Sequence, residues 1–193
     1  GLVGSRLIQA LLGEGTRVTL VTRHPDHALF PLGVEPRPWD DLTQVVDGAD
    51  GVFNFAGESI AGKRWTTERK KVLCQSRIQT TERIAEALRW ARHKPRYWVN
   101  ASAVGVYGGL DGRPIDEDSP TGKGFLADLC RRWETAADPA GSQIRLVKAR
   151  LGVVLAPEGG ALPKMMLPMK LFQGASLGSG QQGMSWIHIE DLV

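Results

Sequence analysis

Two glycines open the chain where a helix is expected to begin. Gly1 and Gly4 fit the last two glycines of a G-x-x-G-x-x-G loop, whose first glycine would precede residue 1. In such a loop the backbone approaches a pyrophosphate closely, and the positive end of the helix attracts its charge. Alternatively, the two glycines only let the helix pack tightly on a neighbour. The pair alone leaves both interpretations open.

A basic residue follows the next predicted strand, at about the place where dinucleotide-binding folds contact the adenosine ribose. An acidic residue there would accept the 2′-hydroxyl of NAD, but this sequence has Thr22, Arg23 and His24. The guanidinium of Arg23 is planar and permanently charged, and it matches a phosphate. The position therefore favours NADP, although a surface arginine after a strand is also common.

Small residues follow the strand that is predicted to end near Asn54. The segment 54–58 contains Ala56 and Gly57, which let the backbone approach a ligand closely. Open α/β sheets bind their ligands at the carboxyl ends of the strands. A plain turn would explain Gly57, but it would not require Ala56 before it.

Strands and helices alternate along the chain, and the strands are short and apolar. Strands are predicted at 17–22, near Val34, and at 51–55, 97–101 and 144–149. Helices are predicted at 1–12, 42–46, 66–92 and 125–137. This order is typical of a parallel sheet that helices cover on both faces. We therefore expect a doubly wound, Rossmann-type α/β fold.

The composition changes after Pro157, where glycine, proline and methionine become frequent and no clear strand precedes Trp186. We expect an NADP-binding domain over 1–156 and the start of a substrate-binding or lid region over 157–193. The first helix has no strand before it, and residues 190–193 look like the start of another helix. We therefore expect the sheet to be truncated at both ends, without its first strand and a C-terminal segment.

Several short motifs recur in the same order in one protein family. They are 54–58 (NFAGE), 64–65 (RW), 75–77 (QSR), 106–108 (VYG), 152–155 (GVVL) and 186–191 (WIHIED). With these motifs the chain resembles an atypical extended short-chain dehydrogenase/reductase of the NAD(P)-dependent epimerase family. This group of uncharacterised oxidoreductases is also labelled cell-division-inhibitor-like. The resemblance covers essentially the whole chain.

The resemblance also implies a set of residues that contact an NADP cofactor. Thr22 and Arg23 would contact the adenosine phosphate, and Arg77 would reach the nucleotide from the long helix. Val154 would lie beside the nicotinamide. The full expected set is Gly1, Gly4, Thr22, Arg23, Phe55, Ala56, Gly57, Arg77 and Val154.

The proton donor of related reductases is missing from its usual place. Relatives use a tyrosine and, four residues later, a lysine on the same helix face, where the ammonium lowers the pKa of the phenol. Aligned on Glu134, this chain has Leu126 and Cys130 at those positions, and Ala103 where a serine is usual. The standard acid–base pair is therefore absent from the sequence.

Other residues remain as catalytic candidates, and we expect Tyr107 and Ser102 to be the first to test. A tyrosine in a Val-Tyr-Gly segment is also a common packing residue. The sequence has one further tyrosine, Tyr97, and neither tyrosine is followed by a lysine at the required interval. His188 is a further candidate because histidine is a common acid–base residue, but we interpret it as structural. The acidic run 116–118 is interpreted as a solvated loop.

Composition argues against several other classes of protein. The 193 residues are 42% apolar and carry a net charge of +3, with the basic residues scattered. Cys74 and Cys130 show no spacing typical of a metal site or disulfide framework, which fits a reducing, cytoplasmic compartment. We expect a small-molecule substrate, no metal, and no nucleic-acid or membrane partner, and we leave a homodimer open.

Three functional hypotheses follow from these patterns. The first is an NADP(H)-dependent oxidoreductase or epimerase-like enzyme with an unassigned small-molecule substrate and non-standard catalytic residues. The alternative is a non-catalytic, NADP(H)-binding regulatory protein. The third is a structural interaction domain, in which Arg23, Ala56 and Gly57 would have no role.

Overall fold

The computed structural model of the chain describes residues 1–26, 30–109, 114–174 and 179–193. Its α-helices are α1 (Leu2–Gly13), α2 (Leu42–Val46), α3 (Thr67–Trp90), α4 (Phe125–Thr135), α5 (Leu162–Lys170) and α6 (Ile189–Leu192). Its strands are β1 (Val18–Thr22), β2 (Val34–Pro38), β3 (Gly51–Asn54), β4 (Tyr97–Ala103), β5 (Arg145–Leu151), β6 (Val153–Ala156), β7 (Gly159–Gly160) and β8 (Trp186–His188). Short 3-10 turns lie at Trp39–Asp41, Val104–Tyr107 and Asp138–Ala140.

The strands that precede residue 152 pair in parallel. β1 pairs with β2, and β3, β4 and β5 form a second sheet in that order. Parallel neighbours need a crossover connection, which α3 provides between β3 and β4 and α4 provides between β4 and β5. The expected Rossmann-type α/β fold is confirmed.

A groove of about 1270 Å³ lies between these two sheets. β1 and β3 both line it, together with apolar residues of α1 such as Leu7 and Leu11. Among the described strands, none pairs with both β1 and β3. The strand that we expect before residue 1 stays a prediction.

The long helix α3 is closed at both ends by side chains. At its start the Thr66 hydroxyl accepts the backbone N–H of Arg69 at 3.1 Å, as a helix N-cap does. At its end the ammonium of Lys94 donates to three backbone carbonyls around the last turn, at 2.9 to 3.2 Å. A cation at this end also complements the helix dipole. The helix therefore uses Thr66 as its N-cap and begins at Thr67.

The main apolar core joins α2 and α3 to the β3–β5 sheet. Trp98 of β4 and Leu88 of α3 are both completely buried. The buried members of the core are Leu42, Val46, Ile84, Ala85, Ala87, Leu88, Ala91, Trp98, Ala137, Ala140 and Ile144. This packing fixes the carboxyl ends of β3 and β4, where the candidate site lies.

The chain beyond β5 differs from the sequence prediction. β6 follows after the single residue Gly152 and pairs with β7 in antiparallel and with β8 in parallel. We expected no clear strand between Pro157 and Trp186, but the two-residue strand β7 lies there, together with the helix α5. Strands this short give no periodic signal, and α5 contains Pro163 and Pro168, which disfavour a helix prediction.

The division of the chain at residue 156 stays a prediction, since β6 and β8 pair across it. Among the helices in the described ranges, none has the length and apolarity that crossing a membrane would require. The described residues also contain no group of three His, Cys, Asp or Glu side chains that could hold a metal ion.

Candidate functional site

The groove between the two parallel sheets collects most of the residues predicted to hold a cofactor. Its lining includes Gly1, Gly4, Phe55, Ala56, Gly57 and Arg77, together with the catalytic candidate Ser102. Four other predicted site residues are not part of this lining, namely Thr22, Arg23, Val154 and Tyr107. The assignment of all these residues to a cofactor or a reaction stays a prediction.

The first turn of α1 faces open space. Gly1 precedes the helix, and no side chain of the described residues caps this turn. A Cβ built on Gly1 or Gly4 would meet no described atom within 4 Å beyond its own helix and chain neighbours. The choice between a phosphate loop and tight helix packing for these two glycines stays a prediction. The uncapped N–H groups and the positive end of the helix favour an anion here.

A buried network without charge, here named the neutral cluster, consists of Asn54, Thr81, Asn100 and Trp133. The Asn54 amide donates to Thr81 Oγ1 at 3.1 Å and to Asn100 Oδ1 at 2.7 Å. Thr81 Oγ1 also accepts from Trp133 Nε1 at 3.0 Å and donates to Asn100 Oδ1 at 3.4 Å. The oxygen of Asn54 accepts the backbone N–H of Ala56 at 3.1 Å. The neutral cluster thus fixes the start of the 54–58 loop that lines the groove.

Arg77 reaches the groove from α3 and supports the same loop. Its Nη2 donates to the backbone oxygen of Glu58 at 2.9 Å, and its Nη1 donates to that of Leu73 at 3.2 Å. Its guanidinium carbon lies 5.3 Å from the centre of the Trp133 ring. A Cβ on Gly57 would lie 3.1 Å from that carbon. The packing of Arg77 therefore favours glycine at position 57, whether or not a ligand also approaches it.

A second arginine of α3, Arg69, holds the chain that follows this loop. Its Nη2 donates to Glu58 Oε1 at 3.2 Å and contacts the backbone oxygen of Ser59. The hydrogen bond and the charge of Arg69 lower the pKa of Glu58. Trp65 Nε1 donates to the backbone oxygen of Ile60 at 2.9 Å. The Arg64-Trp65 motif thus closes a loop at the edge of the groove.

A second network, here named the charged cluster, consists of Ser102, Tyr107, Glu134 and Arg150. Arg150 Nε and Nη2 each donate to one oxygen of Glu134, both at 2.9 Å. Ser102 Oγ donates to Glu134 Oε1 at 2.6 Å. Arg150 Nη1 donates to Tyr107 OH at 2.7 Å and to the backbone oxygen of Glu117 at 3.1 Å. Both predicted catalytic candidates therefore belong to one network.

The charges of Glu134 and Arg150 stabilise each other. Burial acts to raise the pKa of Glu134, but hydrogen bonds from Arg150 and Ser102 outweigh it and hold that pKa below its usual value. The hydrogen bond to Glu134 in turn raises the pKa of Arg150. Burial, followed by the charge of Glu134, raises the pKa of the Cys130 thiol. At neutral pH the cluster therefore holds one ion pair beside an uncharged thiol.

A second cavity, of about 520 Å³, lies on the other side of the charged cluster. Tyr107 and Arg150 line this cavity, whereas Ser102 lines the groove. Val104 lines both spaces, so they are neighbours. The charged cluster is therefore a hydrogen-bonded connection between the groove and the second cavity.

The loop that follows Tyr107 comes back into contact with the backbone of Val106 and Tyr107 at Gly122. The backbone N–H of Gly122 donates to the oxygen of Val106 at 2.9 Å. A Cβ on Gly122 would lie 2.2 Å from the backbone oxygen of Tyr107, which excludes every other residue at this place. Arg131 of α4 donates to the Gly122 oxygen at 2.7 Å. Tyr107 is thus held at its backbone as well as at its hydroxyl group.

The remaining sequence candidates have other surroundings. Arg23 is exposed just beyond the carboxyl end of β1. The Tyr97 ring packs against Gly51, where a Cβ would lie 2.2 Å from it. His188 Nδ1 accepts the backbone N–H of Glu190 at 3.3 Å at the start of α6, as expected of a structural histidine. Asp111, the residue four positions after Tyr107, lies outside the described residues.

Two members of the charged cluster were not recognised as functional from the sequence. From the sequence, Glu134 is only an alignment point on α4, and Arg150 near the end of β5 has no assigned role. The signal that could have identified Arg150 is a charged residue near the carboxyl end of a strand, where this type of fold binds its ligands. Its partner is harder to find, because Glu134 lies 16 positions away on another element.

The chain matches a known protein family over its whole length. The model described as the NAD dependent epimerase/dehydratase family covers residues 1–193. The epimerase family protein SDR39U1 homolog, chloroplastic, of Arabidopsis thaliana is 38% identical over 201 residues. That alignment covers 100% of this chain and 58% of the relative, so this chain spans less than two thirds of that protein.

Two solved structures are similar in both fold and sequence. Human epimerase family protein SDR39U1 (isoform 2), crystallised with NADPH, matches with a TM-score of 0.87 and 38% identity over 100% of this chain and 64% of that one. The nucleoside-diphosphate sugar epimerase of Corynebacterium glutamicum matches with a TM-score of 0.80 and 35% identity, over 100% of this chain and 40% of that one.

Proposed function

Because the chain belongs to the NAD dependent epimerase/dehydratase family, we propose that it binds NADP(H) and acts on a small molecule as an oxidoreductase or epimerase-like enzyme. The bound cofactor would lie across the carboxyl ends of the strands, where Ala56 and Gly57 line the groove. The proposal includes a small-molecule substrate and neither a nucleic-acid nor a membrane partner, and a homodimer is left open.

The shared lining of the groove is the observation that carries this proposal. The first turn of α1 lines it together with the small residues Ala56 and Gly57. A pyrophosphate is an anion that helix N-termini bind in this type of fold. The residues present therefore fit a dinucleotide, and the similar human protein was crystallised with NADPH.

Arg23 supports NADP(H) rather than NAD(H). It is exposed at the carboxyl end of β1, where the fold contacts the adenosine ribose. Neither neighbour, Thr22 or His24, is acidic, so no carboxylate at these positions would repel a 2′-phosphate. A guanidinium can bind such a phosphate through two parallel hydrogen bonds.

NADP(H) would supply the chemistry of hydride transfer when bound. The chain itself would bind and orient it: α1 would hold the pyrophosphate, Arg23 the 2′-phosphate, and the 55–57 segment the nucleotide. Val154 is proposed to lie beside the nicotinamide. Arg77, already engaged with the 54–58 loop, would keep that segment in place.

Calorimetric titration of the purified protein with NADPH and with NADH tests this proposal. We expect Arg23→Glu to weaken NADPH by about one to two decades, equal to ~1.5–3 kcal/mol, because a charge-assisted contact is lost. The affinity for NADH should change little. Arg145→Glu, an exposed arginine at the amino end of β5, is the matched control and should leave both affinities unchanged.

Equal losses for the two cofactors would remove the phosphate-binding role of Arg23. A wild-type protein that gives no binding heat with NADPH at any concentration tested, and shows no change in thermal stability, would overturn the cofactor proposal itself.

A non-catalytic, NADP(H)-binding regulatory protein remains the second candidate, and one observation favours it. Leu126 and Cys130 of α4 pack against the 3-10 turn that follows β4. A Cβ on Gly105 in this turn would lie 3.6 Å from the side chain of Leu126 and 3.8 Å from that of Cys130. Neither side chain can serve as the tyrosine or the lysine of relatives. Consumption of NADPH with a panel of aldehydes, ketones and sugar nucleotides would identify the enzyme, and binding without consumption would favour the regulatory protein.

A further inference from the structure

We propose that Tyr107 is the proton donor of the reaction and that Arg150 and Glu134 are its positioning residues. Arg150 would take the place of the lysine that is missing from α4. This inference rests on the proposed function, because it assigns roles within an NADP(H)-dependent reduction. It is carried by the geometry of the charged cluster.

The bond between Arg150 and Tyr107 has a defined direction. A guanidinium has donors and no acceptor, so the phenol oxygen accepts from Nη1 at 2.7 Å. The hydrogen of the phenol is therefore left for a different acceptor. The cavity of about 520 Å³ that Tyr107 lines offers the space for one.

Glu134 prevents Arg150 from turning away. It binds Nε and Nη2 of the guanidinium through separate oxygens, which leaves Nη1 directed at Tyr107. Ser102 donates to the same carboxylate and restricts its rotation. The side chains of Glu134 and Arg150 are only 10% and 24% exposed, so little water competes for these bonds. A two-pronged contact of this kind fixes orientation as well as distance.

The position of Tyr107 is compatible with a substrate that also reaches the groove. Val104 lines both spaces, Ser102 lines the groove and Tyr107 lines the cavity. A small molecule in the cavity would therefore lie next to the groove that is proposed to hold the cofactor. The cavity wall is supplied by the 3-10 turn and β5, whereas the relatives' proton donor comes from the helix that corresponds to α4.

The proton donated by Tyr107 would accompany a hydride that a reduced nicotinamide supplies. As hydride reaches the carbonyl carbon of the substrate, the phenol O–H bond breaks and its proton forms an O–H bond with the carbonyl oxygen. The carbonyl becomes an alcohol, and water later returns a proton to the phenolate. The nearby guanidinium of Arg150 stabilises that phenolate through the existing hydrogen bond.

Several charged or titratable groups lie in and around the charged cluster and the second cavity. Those on β5 are cationic and those on α4 are an acid and a thiol, while the 115–117 segment contributes carboxylates. They are Lys148, Arg150, Cys130, Glu134, Asp116 and Glu117. Lys148 is paired with Asp138 at 2.6 Å, so Arg150 is the cation in direct contact with the phenol.

Kinetics of a single-tyrosine protein test the positioning role. The chain has two tyrosines, so Tyr97→Phe leaves Tyr107 as the remaining one. That background keeps one tyrosine for steady-state kinetics with a carbonyl compound that the wild-type protein reduces. There we expect Arg150→Met to lower kcat and to leave KM nearly unchanged, because the phenol stays but is no longer held by Nη1. We expect Glu134→Gln to lower kcat less, because Arg150 stays beside the phenol but is less firmly oriented. Arg145→Met at the far end of β5 should change neither constant.

A fall in kcat without a matching rise in KM is the outcome that a merely structural role would not produce. An unchanged kcat in Arg150→Met, or equal effects on kcat and KM in both variants, would overturn the inference. Arg150→Lys keeps a cation and should retain more kcat than Arg150→Met, which gives a test if the methionine variant does not fold.

Steady-state turnover and calorimetry provide the second test. With a carbonyl compound that the wild-type protein reduces, Tyr107→Phe should lower kcat by about 100-fold or more. The affinity for NADPH should stay the same, since Tyr107 does not line the groove. Full turnover by Tyr107→Phe would overturn the role of Tyr107 but leave the proposed function intact. Failure of the wild-type protein to bind NADPH would instead overturn the proposed function.

Discussion

The neutral cluster and the charged cluster occupy neighbouring strand ends but differ in how fully their hydrogen-bonding groups are used. In the neutral cluster, the Thr81 hydroxyl accepts from Asn54 and Trp133 and donates to Asn100. In the charged cluster, Tyr107 accepts a hydrogen bond from Arg150, and the hydrogen bonds given for the described residues include no acceptor for its phenol hydrogen. A saturated network holds a backbone in place, whereas one with a proton to give can do chemistry.

Removal of one ion from the charged cluster should have the largest effect on stability. Glu134→Ala leaves the guanidinium of Arg150 without its carboxylate in a mostly buried place, so we expect a loss of about 3 kcal/mol in the free energy of unfolding. Urea denaturation measures it. Glu35→Ala, which breaks the exposed pair with Arg37, is the matched control and should cost less than about 1 kcal/mol. Similar losses in the two variants would show that the buried pair is no stronger than a surface pair.

Disruption of the neutral cluster should have a smaller effect. Thr81→Val removes the hydroxyl that serves Asn54, Asn100 and Trp133, and it leaves buried polar groups unpaired. We expect a loss of about 2 kcal/mol, measured in the same way. Thr81→Ser keeps the hydroxyl and should recover most of that stability. If Thr81→Ser were as unstable as Thr81→Val, the methyl packing and not the hydrogen bonds would explain the loss.

Ser102→Ala tests whether the serine is a minor member of the charged cluster. Glu134 keeps both bonds to Arg150 when Ser102 is lost, so the carboxylate stays paired. We expect only about 1 kcal/mol of lost stability. A loss as large as that of Glu134→Ala would mean that the serine, and not the arginine, holds the carboxylate.

Lowering the pH should reduce the stabilising effect of the charged cluster gradually and leave that of the neutral cluster unchanged. The pKa of Glu134 is lowered in the folded state, so its stabilising contribution is present above its ordinary value of 4.5 and is lost as the pH falls through the folded value. The free energy of unfolding of Glu134→Gln should therefore decline less steeply below about pH 5 than that of the wild type. The cost of Thr81→Val should not change over this range, because the neutral cluster has no acidic group. Parallel pH curves for wild type and Glu134→Gln would contradict the first expectation.

The sequence predicts the framework well because strands and helices up to residue 151 have clear apolar periodicity. The neighbouring glycines of β7 and the prolines of α5 carry no such pattern, so the chain after Gly152 could not be predicted in the same way. Its arrangement depends on contacts with distant residues, such as the pairing of Val153 with Trp186. Tertiary context, and not local propensity, forms these elements.

The candidate site shows the same limit at the level of single residues. Gly1, Gly4 and the 55–57 segment were identified because each belongs to a short motif that directly follows or opens a predicted element. The charged cluster could not be found this way, since Tyr107 and Arg150 are 43 positions apart and meet only after β4 and β5 pair. Ser102 and Tyr107 were each chosen for their chemistry, but their connection through Glu134 is visible only in three dimensions.

The return of the chain at Gly122 has an evolutionary consequence. Because the loop begins and ends against the backbone of Tyr107, its two ends are fixed to each other. The entropic cost of a longer loop grows slowly with its length, so insertions between these ends are tolerated at little cost. Related proteins can therefore differ in the wall of the cavity, and with it in their choice of substrate, while the hydroxyl group of Tyr107 keeps its position.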